Sequence, residues 1–452
     1  MSSSPAVPLI AKDHWLLGSV PTFRHRPIKA LMRYMANYGD IYQLRIPFRP
    51  IVVIHNADAI KYVLVTNNKN YRKDFATRQL SLGLGNGLLT SEGDFWRRQR
   101  RIAQPAFHRQ RIAQMGQQMI RETQAMLLRW EQFEGTFDLA QEMMVLTSNI
   151  ASEALFGTGV ENNEEIGDAL LVAMRFITHT FRSVIPPPLW LPTRHNREFK
   201  KAISAMDDRI HGMIQDRLKH PEEERHDLLT MLLEAKDEET GERMTEQQLR
   251  DEIITIFSAG HETSANGLTW LFYLLDQHPE IRDRLEAEVD QVLQGRPIQV
   301  SDLPQLPYTL RVIQESMRLY PPAWAIGREA LEDDEILGYR IPKGTNVLLP
   351  PYVLHRNPSY WEEPERFDPD RFLPEASKHR HRHAYLPFGG GPRFCIGNNF
   401  ALMEMQLAVA SVVQRFRLKH DPSHEVDLDA LITLRPRYGM RMRVEKREGK
   451  VS

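Results

Sequence analysis

Residues 388–397 read FGGGPRFCIG and hold Cys395, the single cysteine of a 452-residue chain. A lone thiol has three ordinary fates. It can fill a core, the commonest outcome. It can act as a nucleophile, which needs a histidine base brought to it by the fold. It can also bind a metal. Gly389, Gly390, Gly391 and Gly397 give this backbone the freedom to approach a flat object and to aim amides at a sulfur, more freedom than a packed core requires. A thiolate without nearby Cys or His companions suits the axial position of haem, where the porphyrin supplies the other ligands. Zinc would need more protein ligands.

A second chemistry-bearing stretch is AGHETS, residues 259–264. Here Glu262 and Thr263 put an acid beside an alcohol in the middle of an apolar run. A hydroxyl both accepts and donates, so such a pair can relay protons; a threonine in a helix can equally be back-bonded and do no more than bend it. Gly260 costs a helix about 1 kcal/mol relative to alanine, which points to a close neighbour or a local opening. Arginines recur in set places: Arg100 four residues after Trp96, Arg318 three after Glu315, Arg366 in PERF, Arg328 and Arg393. Most arginines are solvated, and Glu315 with Arg318 can pair on one helix face.

The elements that must position these residues are mainly helical. Thr245 and Gln248 form a capping box and Pro279 stops the run, so a helix is expected from Thr245 to His278, apolar on nearly every side and therefore central. Further helices are expected over Phe95–Gln104, Arg121–Glu134, Asn163–Thr180, Ile281–Leu293, Leu310–Leu319 and Asn399–Arg415. IYQLRI and IVVIHN read as a hairpin, and ILGYRI with NVLLP, joined through Pro342 to Gly344, as a second. Proline-rich connections cover Pro186–Pro192 and Asn357–Pro374, and the acidic run Asp237–Glu242 reads as a solvated turn.

Lys and Arg number 58 against 59 Asp and Glu, a net charge of −1, which argues against a general grip on nucleic acid or anionic membrane. A single cysteine fits a reducing compartment. The N-terminal stretch has no basic start followed by an apolar block, and no segment reaches the roughly 18 to 20 apolar residues that span a bilayer. The expectation is a cytoplasmic protein with no membrane anchor.

Phe388, Gly391, Arg393, Cys395 and Gly397 fit F-x-x-G-x-R-x-C-x-G, with Ala401 and Glu404 following on a helix. Together with AGHET, E-x-x-R, PERF and W-x-x-x-R, this pattern resembles the cytochrome P-450 haem-thiolate family over nearly the whole chain. The resemblance implies a single domain, 1–452, mainly α with small β-sheets, holding haem b between the central helix and the cysteine loop. It makes Cys395 the axial ligand, with Phe388 beside it, and Trp96, Arg100, Arg328 and Arg393 the propionate contacts. Glu262 and Thr263 become a relay that feeds protons to bound dioxygen, His261 only a polar neighbour, and Glu315, Arg318 and Arg366 a buried structural cluster. Family topology places Leu82, Leu84, Leu88, Phe176, Phe181, Ala259, Ala325, Ile326 and Leu434 around an apolar substrate: a fatty acid, terpenoid or steroid-like molecule. GDFWRRQRRIAQPAFH, residues 93–108, is most similar to the branch with fatty-acid hydroxylases and the longer bacterial enzymes. The implied reaction inserts one atom of O2, with electrons from NAD(P)H through a ferredoxin or flavodoxin-type donor and its reductase. Arg97, Arg98, Arg101 and the run Lys378–His383 would border the thiolate face and receive that donor. The alternatives are a haem-thiolate peroxygenase or isomerase, which typically lacks the acid-alcohol pair, and a non-enzymatic haem protein.

Overall fold

The computed structural model describes residues 4–10, 14, 18–46, 50–157, 164–182, 188–220 and 227–447. Thr245 starts the 32-residue central helix, Glu246–Gln277, as the capping box requires: its hydroxyl accepts from the Gln248 amide at 3.3 Å while the Gln248 side chain accepts from the Thr245 amide at 2.9 Å. Buried side chains run along this helix from Leu249 to Leu275, so it must be surrounded. Leu139–Phe156, Pro307–Leu319 and Asn398–Arg415 pack against it. Trp270, Leu271, Leu146, Val312, Ile313, Leu407 and Val409 form part of one core with the helices Arg109–Glu131 and Pro279–Leu293. A second core lies beneath Glu164–Arg182 and Arg194–Lys219, where Phe176, Phe199, Met206 and Phe257 meet.

Several helices begin earlier than expected. Arg109–Glu131 starts well ahead of Arg121: its first turns bury Ile112, Met115, Gly116, Met119 and Ile120 at helical spacing, a narrow stripe set among polar residues. Leu139–Phe156, for which no helix was expected, is capped by Asp138 and buries residues on most of its sides, which blurs the same signal.

The first hairpin forms, with Ile41 opposite Ile54. The second does not pair as expected. ILGYRI folds back on itself: Asp334–Ile336 pairs with Tyr339–Ile341 through Leu337 and Gly338, both at positive φ (53° and 80°), the backbone of a tight two-residue turn. Asn346–Leu349 instead lies between Ile51–Ile54, in parallel, and Ile326–Ala330, antiparallel. The resulting five-stranded sheet runs in the order Ile41–Leu44, Ile51–Ile54, Asn346–Leu349, Ile326–Ala330, Tyr71–Lys73. Its register sets Lys73 opposite Arg328. Among the described residues no helix is long and apolar enough to cross a membrane.

Candidate active site

The cysteine loop is held from its lead-in. Tyr385 donates its hydroxyl to the Gln314 carbonyl at 2.8 Å, and the Trp361 indole donates to the Ala384 carbonyl at 3.3 Å. His355 accepts from the Leu386 amide on Nε2 at 2.8 Å and places Nδ1 3.1 Å from the Arg318 carbonyl, which fixes the neutral tautomer with its proton on Nδ1. Burial, reinforced by the Arg318 cation, pushes this histidine down to about 3. The chain then turns at Gly389 and Gly391, at φ 73° and 68°. A Cβ on Gly391 would lie 1.9 Å from the Leu64 carbonyl oxygen. This glycine therefore answers the close approach of the segment Tyr62–Thr66.

The Cys395 amide donates to the Phe388 carbonyl at 3.0 Å and closes the loop, with Phe388 and Phe394 edge to face at 6.3 Å. The sulfur lies deep in the protein, yet its residue is open to a cleft of about 300 Å³ lined by Arg100, Phe107, His108, Phe394 and Ile396 among others. Burial pushes the thiol up, while the Gly397 amide and the Arg100 guanidinium oppose it. Both opposing groups favour a thiolate, the form that ligates metal.

The central helix has an opening near its middle. Phe257, His261 and Ser264–Phe272 are buried, but Ala259 is exposed, and a Cβ on Gly260 would meet no atom within 4 Å. An exposed alanine halfway along a core helix means the helix borders an internal space. Further along, Ser264 bonds Glu404, and Gly267 packs on Met405. From that contact the helix Asn398–Arg415 runs back about 9 Å to its start beside the loop. Glu404 is 1% exposed, and burial pushes its carboxyl up to about 8. Thr263 donates to the Ala259 carbonyl at 2.7 Å, and Glu262 accepts from Thr433 at 2.5 Å. His261 is buried against Phe257 and burial lowers its pKa, so it is a neutral neighbour.

A cluster of cations gathers at one edge. Arg393 stacks on Trp96 at 3.7 Å, donates to the Ser91 carbonyl at 2.9 Å and pairs with Glu92. Burial brings it down to about 10. Arg328 is 7% exposed, donates to the Gly327 carbonyl at 2.8 Å, and is likewise lowered by burial. Arg100 donates to the Phe394 carbonyl at 2.9 Å. Lys73, which residue patterns did not suggest, is pushed down to about 7 by burial and by Arg328 and Arg393. Four cations thus meet two carboxylates, Glu92 and Asp74, and Asp74 is engaged in capping Phe75–Gln79. Excess buried positive charge is unfavourable unless anions complete it. A group with two carboxylates and a thiolate-seeking metal fits the cations and the sulfur alike.

Residues 8–440 match the family model described as Cytochrome P450. The chain is 38% identical to cyclooctatin synthase of Streptomyces melanosporofaciens, covering 91% of this chain and 90% of that one. It is 33% identical to pentalenene oxygenase of Streptomyces avermitilis, covering 95% and 96%. Among solved structures, the cytochrome P450DA heme domain superposes with a TM-score of 0.90 at 28% identity, covering 98% of each chain. The chain belongs to the cytochrome P450 family and is a P450 monooxygenase whose cofactor is haem b.

The expected positions divide accordingly. The structure brings Trp96, Arg100, Arg328 and Arg393 into one cluster with Lys73. Arg366 does not join Glu315 and Arg318: its side chain is 62% exposed and pairs with Glu363, while Arg371 takes the inner place 3.5 Å from Glu315. Only the Arg366 carbonyl reaches Arg318. Among the residues expected around substrate, Ala259 is open, Ala325 and Ile326 are half-buried, Leu82 is exposed, and Leu88 is buried with its amide on Glu252. Phe176 stacks on Phe199 at 4.2 Å between two helices, and Leu84 and Leu434 are fully packed. The side chain of Phe181 lies outside the described residues. The cations expected to greet a donor are mostly neutralised: Arg97 pairs with Asp94, Arg98 with Glu242, and Arg101 with Asp237 and Glu239. The acidic run is thus a brace for that helix, not merely a solvated turn. His381 sits 3.3 Å from Asp58.

Because a side chain at position 391 meets backbone at positive φ, Gly391→Ala is expected to cost about 1–3 kcal/mol of local strain. The checks are a lowered melting temperature and a lower haem-to-protein ratio after purification. A parent-like ratio would show that the loop tolerates the shift.

Proposed function

We propose that this P450 oxidises an unactivated C–H bond or a double bond of a terpenoid-type molecule with O2. Two electrons would come from NAD(P)H through a ferredoxin or flavodoxin-type donor and its reductase, and the chain would act as one haem-thiolate domain. The observation that carries this reading is the stretch Ala259–Thr263, where an exposed alanine halfway along the core helix is followed by an acid and by an alcohol whose hydroxyl rests on the Ala259 carbonyl. The relatives named for cyclooctatin and pentalenene favour a terpenoid over the fatty acid that the segment 93–108 suggests.

When bound through a thiolate, haem supplies the activation of dioxygen, since sulfur donation favours O–O cleavage. Cys395 supplies that sulfur, and the Gly397 amide and Arg100 keep it anionic. Trp96, Arg100, Arg328, Arg393 and Lys73 would hold the two propionates, and Phe388 would pack beside the ligand loop. Thr263 releases its bond to the Ala259 carbonyl to hold a water, and Glu262 passes protons to that water from solvent. Leu82, Leu88, Ala259, Ala325 and Ile326 exclude bulk water and orient an apolar substrate, with Phe176 stiffening the cover. His108 and Arg109 are exposed and line the cleft at the sulfur, a basic edge suited to an acidic donor. The acid-alcohol pair also weighs against a peroxygenase or isomerase.

Thr263→Ala tests the reading. Product formed per NADPH is expected to fall roughly a hundredfold, the low end of the range for losing a positioned proton donor, with hydrogen peroxide making up the difference. An unchanged ratio would remove Thr263 from the relay. The substrate class is tested by Soret shifts across terpenes, fatty acids and steroids, with sugars and nucleotides as the opposing set; shifts confined to the latter would overturn it.

A further inference from the structure

The chain between Leu428–Ala430 and Leu434–Pro436, two antiparallel strands, carries its tip, residues 431–433, into the flank of the central helix. The tip is firmly seated. The Trp324 indole donates to the Leu431 carbonyl at 2.9 Å, the Leu434 amide to the Pro322 carbonyl at 2.9 Å, and the Trp270 indole to the Leu434 carbonyl at 3.1 Å. Thr433, 6% exposed, is thereby held against two residues of the helix one turn apart. Its hydroxyl lies 2.5 Å from Glu262 Oε1 and 3.2 Å from the Asn266 side-chain nitrogen.

The direction of these bonds follows from counting protons. An amide nitrogen only donates, so Asn266 gives its proton to the Thr433 oxygen. The single hydroxyl proton must then go to Glu262. The chain Asn266 to Thr433 to Glu262 is polarised toward the carboxylate, and a bond to an ionised acceptor is roughly twice as strong as a neutral one. The adjacent His261 is neutral and turned to the Phe257 carbonyl at 3.1 Å, so it does not compete.

We propose that Thr433 is a positioning residue of the oxygenase reaction, holding the Glu262 carboxylate in the orientation from which it serves the Thr263 side of the helix. The inference rests on Glu262 acting as the acid of the relay. Glu262, starting as the carboxylate, takes a proton from solvent and passes it to the water at Thr263, returning to the carboxylate; Thr433 keeps its own proton and sets only where the carboxylate stands. The acid is therefore fastened to a loop that meets the helix 171 residues further along the chain, so loop and proton supply move together.

The test uses holoenzyme with a generic ferredoxin and reductase, pentalenene, for which one of the relatives above is named, as probe, and the variants Thr433→Val, Thr433→Ser, Glu262→Gln and the Val–Gln double. Thr433→Val is expected to raise peroxide released per NADPH about tenfold, the equivalent of one charge-assisted hydrogen bond, and to enlarge the solvent deuterium effect on NADPH consumption. Thr433→Ser should restore both, and the double variant should match Glu262→Gln. Product formation driven by added peroxide, which needs no relay, should stay within about twofold of the parent. A readout independent of turnover is urea unfolding, where the midpoint shift of the double variant should be smaller than the sum of the two singles. If Glu262→Gln uncouples and Thr433→Val does not, or if the midpoint shifts add, Thr433 has no such role. If Glu262→Gln itself stays coupled, the reading of Glu262 as the acid falls instead.

Discussion

Cys395→Ser is expected to leave a folded chain that loses both its thiolate absorption and its oxygenase turnover. The fold should survive because the bond that closes the loop, from the amide of residue 395 to the Phe388 carbonyl at 3.0 Å, belongs to the backbone. Serine is also smaller than cysteine, so the cleft beside Arg100 and Phe394 can take it without a clash. What disappears is the donor. A serine oxygen does not ionise near neutral pH, and neither the Gly397 amide nor Arg100 brings it within reach of doing so. Product formation is expected to fall about a thousandfold, roughly 4 kcal/mol at 1.36 kcal/mol per factor of ten. The measurement is the spectrum of the reduced protein under carbon monoxide, read beside product per NADPH: the far-red-displaced band of trans-thiolate ligation should vanish while far-ultraviolet ellipticity stays. A Cys395→Ser protein that kept inserting oxygen would remove the sulfur from the mechanism.

Motifs contiguous in the chain were legible because their chemistry and their geometry are both local. The box at Thr245 and Gln248 predicts the start of the central helix, and the ten residues around Cys395 predict a ligand loop; both stand in the structure as bonds between near neighbours. Lys73 was invisible for the opposite reason. It enters the cation cluster only because Tyr71–Lys73 pairs with Ile326–Ala330 in a register that sets it opposite Arg328, and nothing in YRK announces that partner. The paired arginines of PERFDPDRF make the same point at short range. Arg366 and Arg371 are alike in type, and the 3-10 turn Pro369–Phe372 between them turns Arg371 inward while Arg366 faces solvent. Thr433 is a third case, since only the tertiary fold carries a hairpin tip to Glu262.

The pair Glu315 and Arg318 allows the largest predicted loss of stability. Both side chains are wholly buried. Arg318 grips both Glu315 oxygens at 2.7 Å and gives its remaining protons to the carbonyls of His355, Pro364 and Arg366 at 2.7 to 2.9 Å. Glu315 also accepts from the Asp368 amide at 2.9 Å. Every donor of the guanidinium is placed, as a buried charge requires. Arg318→Met would strand the carboxylate, and the expected cost is about 3–5 kcal/mol, read as a fall in the urea unfolding midpoint. Haem retention should fall with it, because the Arg318 guanidinium holds the His355 carbonyl at 2.8 Å, and His355 Nε2 holds the Leu386 amide two residues ahead of Phe388. Adding Glu315→Gln should recover part of the loss, since the stranded charge is then gone while the three carbonyls still lack their donor. Arg366→Ala is the control that separates the two arginines of the segment. With its side chain in solvent it should shift stability by no more than about 0.5 kcal/mol, whereas Arg371→Ala, 3.5 Å from Glu315, should cost clearly more. Equal effects at 366 and 371 would mean that the inner position is not what ties this cluster to the cysteine loop.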